Sequence, residues 1–219
     1  MLKRITIFIL LIIATVSFAQ SEAEYQYDPE TGSDINELCA GCHGEFGQGG
    51  GDGEYPRLAG LPYKFLVKQL YAFQSGDRAS IAMAMYATER ELPGNDLLDI
   101  SNFLAEKTLM TQMPKVDEDM PALEKLRLAS RVFNVPRFEG DMEKGEEIYV
   151  GKCFKCHGAQ GKGKGSTPQL AGQYTDYLRF QIEAFQDGTR QNKQMEKYIM
   201  PLSSADIEAL LAYLSVMDD

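Results

Sequence analysis

The chain has 219 residues, of which 44% are hydrophobic, 10% aromatic and 25% charged, and its formal net charge is −10. This mix supports one large or two small globular domains and excludes disorder, a collagen-like repeat or a polytopic membrane protein as a description of the whole. With only four Cys and two His, a catalytic triad or a His-rich metal centre has little to draw on, and nucleic acid is a poor partner for so acidic a chain.

Residues 1–19 have the form of a signal peptide. Lys3 and Arg4 open it, Ile5 to Val16 form its apolar run, and Ser17-Phe18-Ala19 gives a small-x-small cleavage pattern. The run falls short of the ~20 residues a membrane span needs. Cleavage would make Gln20 the first mature residue; the alternative is an uncleaved N-terminal anchor.

A short helix is expected to lead into Cys39-Ala-Gly-Cys42-His43, and a second, Asp141 to Tyr149, into Cys153-Phe-Lys-Cys156-His157. These two C-x-x-C-H runs take every Cys and every His in the chain. The pattern is the c-type haem attachment signature. Two thiols three positions apart share one face of a helical turn, where both vinyl groups of one haem can be reached. The adjacent His then lies under the iron as proximal ligand. A zinc site would need a fourth ligand that neither cluster has. Redox C-x-x-C pairs belong near a βαβ pattern, which is absent, and structural disulfides would not explain the His. The expected cofactors are therefore two covalently bound haem c groups. Because such haems are attached outside the cytoplasm in bacteria, the expected compartment is the periplasm.

Each motif is followed by a Gly-rich loop, Gly47 to Gly53 and Gly158 to Gly165. Neither loop opens a helix with Gly-Lys-Ser/Thr or sits in a βαβ unit, so a phosphate role is not expected. Next comes a helix over about Pro62–Ser75, with Phe65, Leu66, Gln69, Leu70 and Phe73 on one stripe and Gly76 as its stop. Its twin covers about Thr175–Asp187 and stops at Gly188. Terminal helices are expected near 95–106 and 203–217, the latter with Ser203 and Asp206 at capping-box spacing. Between the copies, Lys107 to Gly140 is punctuated by Pro114, Pro121 and Pro136. Leu123, Leu126 and Leu128 give residues 122–133 helical spacing. This segment is expected to be an inter-domain helix packed across one or both domains, with a partner-binding helix as the alternative.

The two halves are a repeat. From Pro56 to Arg78, 11 of 23 positions are identical to those 112 residues later, from Pro168 to Arg190. The expected organisation is residues 20–107 as the first domain, 108–139 as linker and 140–219 as the second domain. No run of alternating strands appears, so the class is all-α. Charge is uneven: residues 20–119 carry 18 acids and 7 bases, whereas 120–219 carry 14 and 13. Lys152, Lys155, Lys162 and Lys164 cluster about the second motif. Such asymmetry either solvates a face or addresses the two domains to different redox partners.

In these motifs the chain resembles the class I c-type cytochromes, and in particular the di-haem cytochrome c4 family. The carriers are the two C-x-x-C-H runs, the duplicated P-x-L-A-G, the helix ending G-x-R and the terminal helix. The long middle segment departs from that family's compact linker. The resemblance implies two tandem cytochrome c domains and a distal Met before each terminal helix. Met85 and Met195 each lie seven residues before a leucine, Leu92 and Leu202, that stands four before Asp96 and Asp206. With His43 and His157 they are the expected axial ligands; Met83 and Met200 are the runners-up. The resemblance further implies that the Pro56 and Pro168 carbonyls accept from His43 and His157. It implies that Arg78 and Arg190 pair with haem propionates, with a surface salt bridge as the alternative. The implied function is single-electron transport between protein partners such as a membrane oxidase or a dehydrogenase. The alternatives are a subunit of a dehydrogenase complex, or a thiosulfate-oxidising di-haem enzyme, against which the lack of a spare Cys argues.

Overall fold

A computed structural model describes residues 25–217; the signal-peptide expectation for residues 1–19 lies outside them. Helices α1 (Pro29–His43), α2 (Tyr63–Ser75), α3 (Ile81–Tyr86) and α4 (Gly94–Glu106) build the first domain. Helix α5 (Ala122–Ala129) lies in the linker. The second domain holds α6 (Met142–Ile148), a π-helical turn over Tyr149–Cys153, α7 (Phe154–His157), α8 (Thr175–Gln186), α9 (Lys193–Ile199) and α10 (Ser204–Leu214). Among the described residues there are isolated β-bridges but no strands, so the all-α expectation holds. The short helices α3 and α9 were not legible as such in the sequence.

Helix α1 begins where Asp28 caps the backbone N–H groups of Glu30 and Thr31, with Pro29 at the first position. It crosses α4, and α6 crosses α10, at two close approaches made by glycine. A Cβ on Gly32 would lie 2.8 Å from Phe103 Cβ and 2.9 Å from the Asp99 carbonyl oxygen, and one on Gly145 would overlap the Ala209 carbonyl. These crossings bring the first and last helices of each domain together over a core. In the first domain Leu61, Leu66, Leu97 and Ile100 fill it; in the second, Tyr149, Ile182, Phe185 and Leu211 do. Asp99, on α4 and buried against the segment before α1, accepts from Tyr25 Oη at 2.7 Å and from Asp28 N at 2.9 Å, which satisfies a carboxylate that burial would otherwise penalise.

The expected capping box of α10 forms, with Ser203 accepting from Asp206 N and Asp206 accepting from Ser203 N. Lys144 on α6 reaches Asp206 at 2.7 Å. Lys144, then Ser203, hold the Asp206 carboxyl below the ordinary carboxylate range. The clamp therefore stands at neutral pH and is lost as the pH falls from the ordinary carboxylate value of 3.8 towards the lowered one. Pro93 occupies the matching place in the first domain and provides no side-chain cap. Ser203→Ala is expected to lower the stability of the second domain by about 1 kcal/mol and leave the first unchanged, a difference visible in the hydrogen-exchange protection of each domain's helices.

The linker departs from expectation. Helix α5 ends at Ala129 rather than 133, and Leu123 and Leu126 on it are exposed, so the helix itself is not packed across the domains. The segments flanking it form the strap. Met110 and Phe133 exchange bonds with the linker backbone (Met110 N to Arg131 O at 3.0 Å and Phe133 N to Met110 O at 2.7 Å). Phe133 meets the Tyr174 ring edge-on at 5.1 Å. Further on, Arg137 donates to the Ser215 carbonyl at 2.6 Å and Phe138 N to Ser215 Oγ at 3.0 Å. The apolar spacing had marked the helix, whereas the contacts are made by irregular backbone, which carries no period.

Candidate functional site

In each domain the motif helix ends on its His, and a glycine turn then folds the following loop back beneath it. Gly47 (φ 68°) and Gly161 (φ 65°) adopt the left-handed region in which a side chain is strained. Their carbonyls accept two N–H groups each: those of Leu58 and Ala59 in one domain, Leu170 and Ala171 in the other. The fold-back brings the Pro56 carbonyl to 2.9 Å from His43 Nδ1 and the Pro168 carbonyl to 3.0 Å from His157 Nδ1. A carbonyl only accepts, so in both rings Nδ1 carries the proton and Nε2 presents its lone pair. The Gly-rich loops thus serve the histidines.

Burial, opposed by the proline bond, pulls both imidazoles below the ordinary histidine value, which keeps them neutral and fit to ligate. The His157 Nε2 atom is buried with no hydrogen-bond partner. A buried polar atom is rarely left so, and an iron on that side would satisfy it. The four thiols are free. Burial pushes Cys39 and Cys153 up to about 11, which makes them poor thiolate ligands or redox nucleophiles. Among the described residues no group of three or more His, Cys, Asp or Glu is placed to hold a metal ion alone. The donors fit a haem and do not fit zinc.

The methionine segments are α3, after α2, and α9, after α8. Ser80 caps α3 by accepting from Met83 N, and Asn192 caps α9 by accepting from Met195 N. Counted from these caps, Met83 corresponds to Met195; counted back from Leu92 and Leu202, Met85 does. The two-residue difference is therefore absorbed between α3 and α4. Met195 packs against the second core, Met83 is half-buried, and Met85 is 65% exposed. The cap register is a signal the sequence held in Ser80 and Asn192 and the leucine count passed over.

Arg78 and Arg190 face each other across the seam between the domains. Gln69 Oε1 accepts from Arg78 at 2.8 Å and from Arg190 at 2.9 Å; Gln181 Oε1 accepts from the same two at 2.8 and 2.6 Å. Tyr177 Oη takes a further bond from Arg78 at 2.8 Å. Neither arginine has a carboxylate ion pair among the described residues, so the surface salt bridge considered above is not made there. Burial, and after it the Arg78 charge, lower the Arg190 guanidinium to about 10. Nearby, Gln173 binds Arg57: its Oε1 accepts from Arg57 N and its Nε2 donates to Arg57 O, both at 2.9 Å. Gln69 and Gln181 match within the repeat, and Phe65 and Tyr177 share an aromatic position of it, but Gln173 lies where the copies differ, at Leu61, and so went unmarked.

The four lysines about the second motif are exposed, as is Cys156. Val150 and Phe154, close to them in the chain, are exposed apolar groups, as are Phe180 and Met200 elsewhere in the second domain.

A family model described as Cytochrome c matches residues 30–123 and 142–218. A thiosulfate dehydrogenase electron acceptor from Thiomonas intermedia is 30% identical over 181 residues, 81% of this chain and 77% of that protein. A cytochrome c4 from Pseudomonas aeruginosa is 26% identical over 222 residues, 97% of this chain and 98% of that one. In structure, reduced cytochrome c4 from Pseudomonas stutzeri superposes with a TM-score of 0.68 at 24% identity, covering 88% of this chain and all of the other.

Proposed function

The chain belongs to the cytochrome c family as a member with two haem c groups, and from that premise we propose that it is a periplasmic electron carrier and not an enzyme. It passes single electrons between protein partners of a respiratory chain, a dehydrogenase or a membrane oxidase among them. The observation that carries this reading is the duplicated bracket of a neutral, proline-oriented His directly after its two thiols. Among the described residues no helix is long and apolar enough to cross a membrane.

When bound, each haem supplies a one-electron Fe(III)/Fe(II) couple. Cys39 and Cys42, and Cys153 and Cys156, would hold it covalently. His43 and His157 would ligate the iron through Nε2 while Pro56 and Pro168 fix the ring planes. Met85 and Met195 would supply the thioethers, with Met83 as the competitor that the α3 cap favours; a thioether ligand would favour the ferrous state and leave no site for substrate. Arg78 and Arg190 offer their remaining N–H groups to haem carboxylates at the seam.

Each Met→Ala variant at 83, 85 and 195 is expected to alter one haem's spectrum if it removes a ligand and to leave it unchanged otherwise. Carbon monoxide is expected to bind only those ferrous haems that have lost their Met. Rapid binding to the unaltered protein would reject six-coordination and with it the carrier reading. Docking at the second motif, through Val150 and Phe154 and the lysines beside them in the chain, would favour an acidic partner. Charge reversal of Lys152, Lys155, Lys162 and Lys164 is expected to flatten the salt dependence of electron exchange with one partner only.

A second reading, acceptance of electrons from a particular dehydrogenase, is favoured by the Thiomonas relative's name. Stable co-purification with a dehydrogenase would support it. An enzyme of the thiosulfate-oxidising kind has less support, because all four cysteines are assigned to thioethers.

A further inference from the structure

The Pro56 carbonyl that orients His43 belongs to the same peptide group as the Arg57 N–H that Gln173 binds. A continuous chain therefore runs from the second domain into the first: Gln173 Oε1 accepts from Arg57 N at 2.9 Å, and across that peptide Pro56 O accepts from His43 Nδ1, also at 2.9 Å. Gln173 also donates to Arg57 O at 2.9 Å, so its amide pairs with both backbone groups of one residue. All of this is dry: Gln173 is 4% exposed, Arg57 5% and His43 8%. The Arg57 side chain adds a bond to the Gly172 carbonyl at 3.3 Å, and Tyr174 N donates to the same Gln173 oxygen at 3.1 Å. Position 61 cannot return the same bond to the second domain. The residue matching Gln173 in the first domain is Leu61, whose side chain has neither donor nor acceptor, and it is buried in its own domain's core.

We infer that Gln173, in the second domain, is a positioning residue for the haem of the first, acting through the Pro56–Arg57 peptide on the ring of His43. The inference rests on the haem reading above. Two effects follow from the geometry. The two-point amide grip fixes the peptide plane and hence the direction of the Pro56 carbonyl. Hydrogen bonds in series also polarise one another in a low-dielectric interior, which makes Pro56 O a stronger acceptor and His43 Nε2 a stronger donor to iron. A more basic proximal ligand favours the ferric state, so Gln173 holds the first haem's potential down. The second haem's bracket receives no such bond from position 61. In a chain with two copies of one domain, this is a device that makes the two haems unequal.

The test is an NMR redox titration of the full di-haem protein, with each domain's haem methyl resonances followed separately. Gln173→Leu, which places at 173 the residue found at 61, is expected to move the first haem about threefold towards reduction, roughly 30 mV at 59 mV per decade for one electron. The second haem should not move. An unmoved first haem, or equal movement of both, overturns the inference, the latter because it reports a seam loosened as a whole. Should Gln173→Leu fail to fold, Gln173→Glu keeps an acceptor for Arg57 N and adds a negative charge. It is expected to move the first haem towards oxidation, and movement towards reduction overturns the inference. Wild-type protein lacking two covalent haems would overturn the haem reading itself, whereas two haems with unmoved potentials overturn only the role of Gln173.

Discussion

Replacing Cys153 and Cys156 together by Ala is expected to yield a chain carrying one covalent haem instead of two. Each thioether needs a thiol on the motif helix. The only other thiols, Cys39 and Cys42, sit at the end of α1 in the other domain. Intact mass should fall by one haem beyond the change in side chains, and haem absorbance under denaturing conditions should halve. The first-domain haem should keep its spectrum, because its His43–Pro56 bracket is built from its own loop. Retention of two covalent haems would refute the assignment of these cysteines. The second domain is also expected to lose stability. Its haem side would leave His157 Nε2 buried and unpaired, an omission that costs on the order of 1–3 kcal/mol.

A second large effect is expected at the α6–α10 crossing. A side chain on Gly145 would run into the Ala209 carbonyl and come within 2.8 Å of Tyr213 Cβ. The first obstacle is backbone and cannot rotate away. Gly145→Val should therefore force the helices apart and expose Leu210 and Leu211. Overpacking of this kind costs about 1–3 kcal/mol and more where backbone must move, against a total of roughly 5–15 kcal/mol for a domain. Gly151, with nothing within 4 Å of a Cβ built on it, is the control: Gly151→Ala should leave the melting curve almost unchanged. If Gly145→Val melts like the wild type, the crossing is not as close as described.

Much of the site was legible before the fold was known. Six scarce residues in two pentapeptides named the haem thiols and proximal ligands, because that chemistry is fixed by spacing along one helical turn. The prolines were legible only through the repeat and the family resemblance, and the structure supplies their bonds to both histidines. The methionines were half legible. Counting back from a leucine assumes equal loops, and the loop between α3 and α4 is two residues longer than its counterpart when measured from the caps. The arginines were marked by the repeat, but their partners Gln69, Gln181 and Tyr177 lie on facing helices of the two domains. The linker helix was placed by its apolar spacing and its packing misjudged, since the spacing says where a helix forms and not what it meets.

By itself, then, the sequence determined the helical class, the duplication and the two C-x-x-C-H runs that point to covalent haem. Each of these depends on residues within a few turns of one another, where covalent geometry and helical period dictate what can meet. Only the tertiary structure decided that the two arginines share two glutamine oxygens, and that Gln173 closes on the peptide whose carbonyl holds His43. The partners across the seam are more than a hundred positions apart, with Arg57 and Gln173 separated by 116. They are joined by the way two copies of one domain pack across a seam, an outcome of surface complementarity that no local pattern records. At the seam the copies agree in Gln69, Gln181 and the two arginines and differ at position 173 against 61, where only the second domain bonds the other's loop.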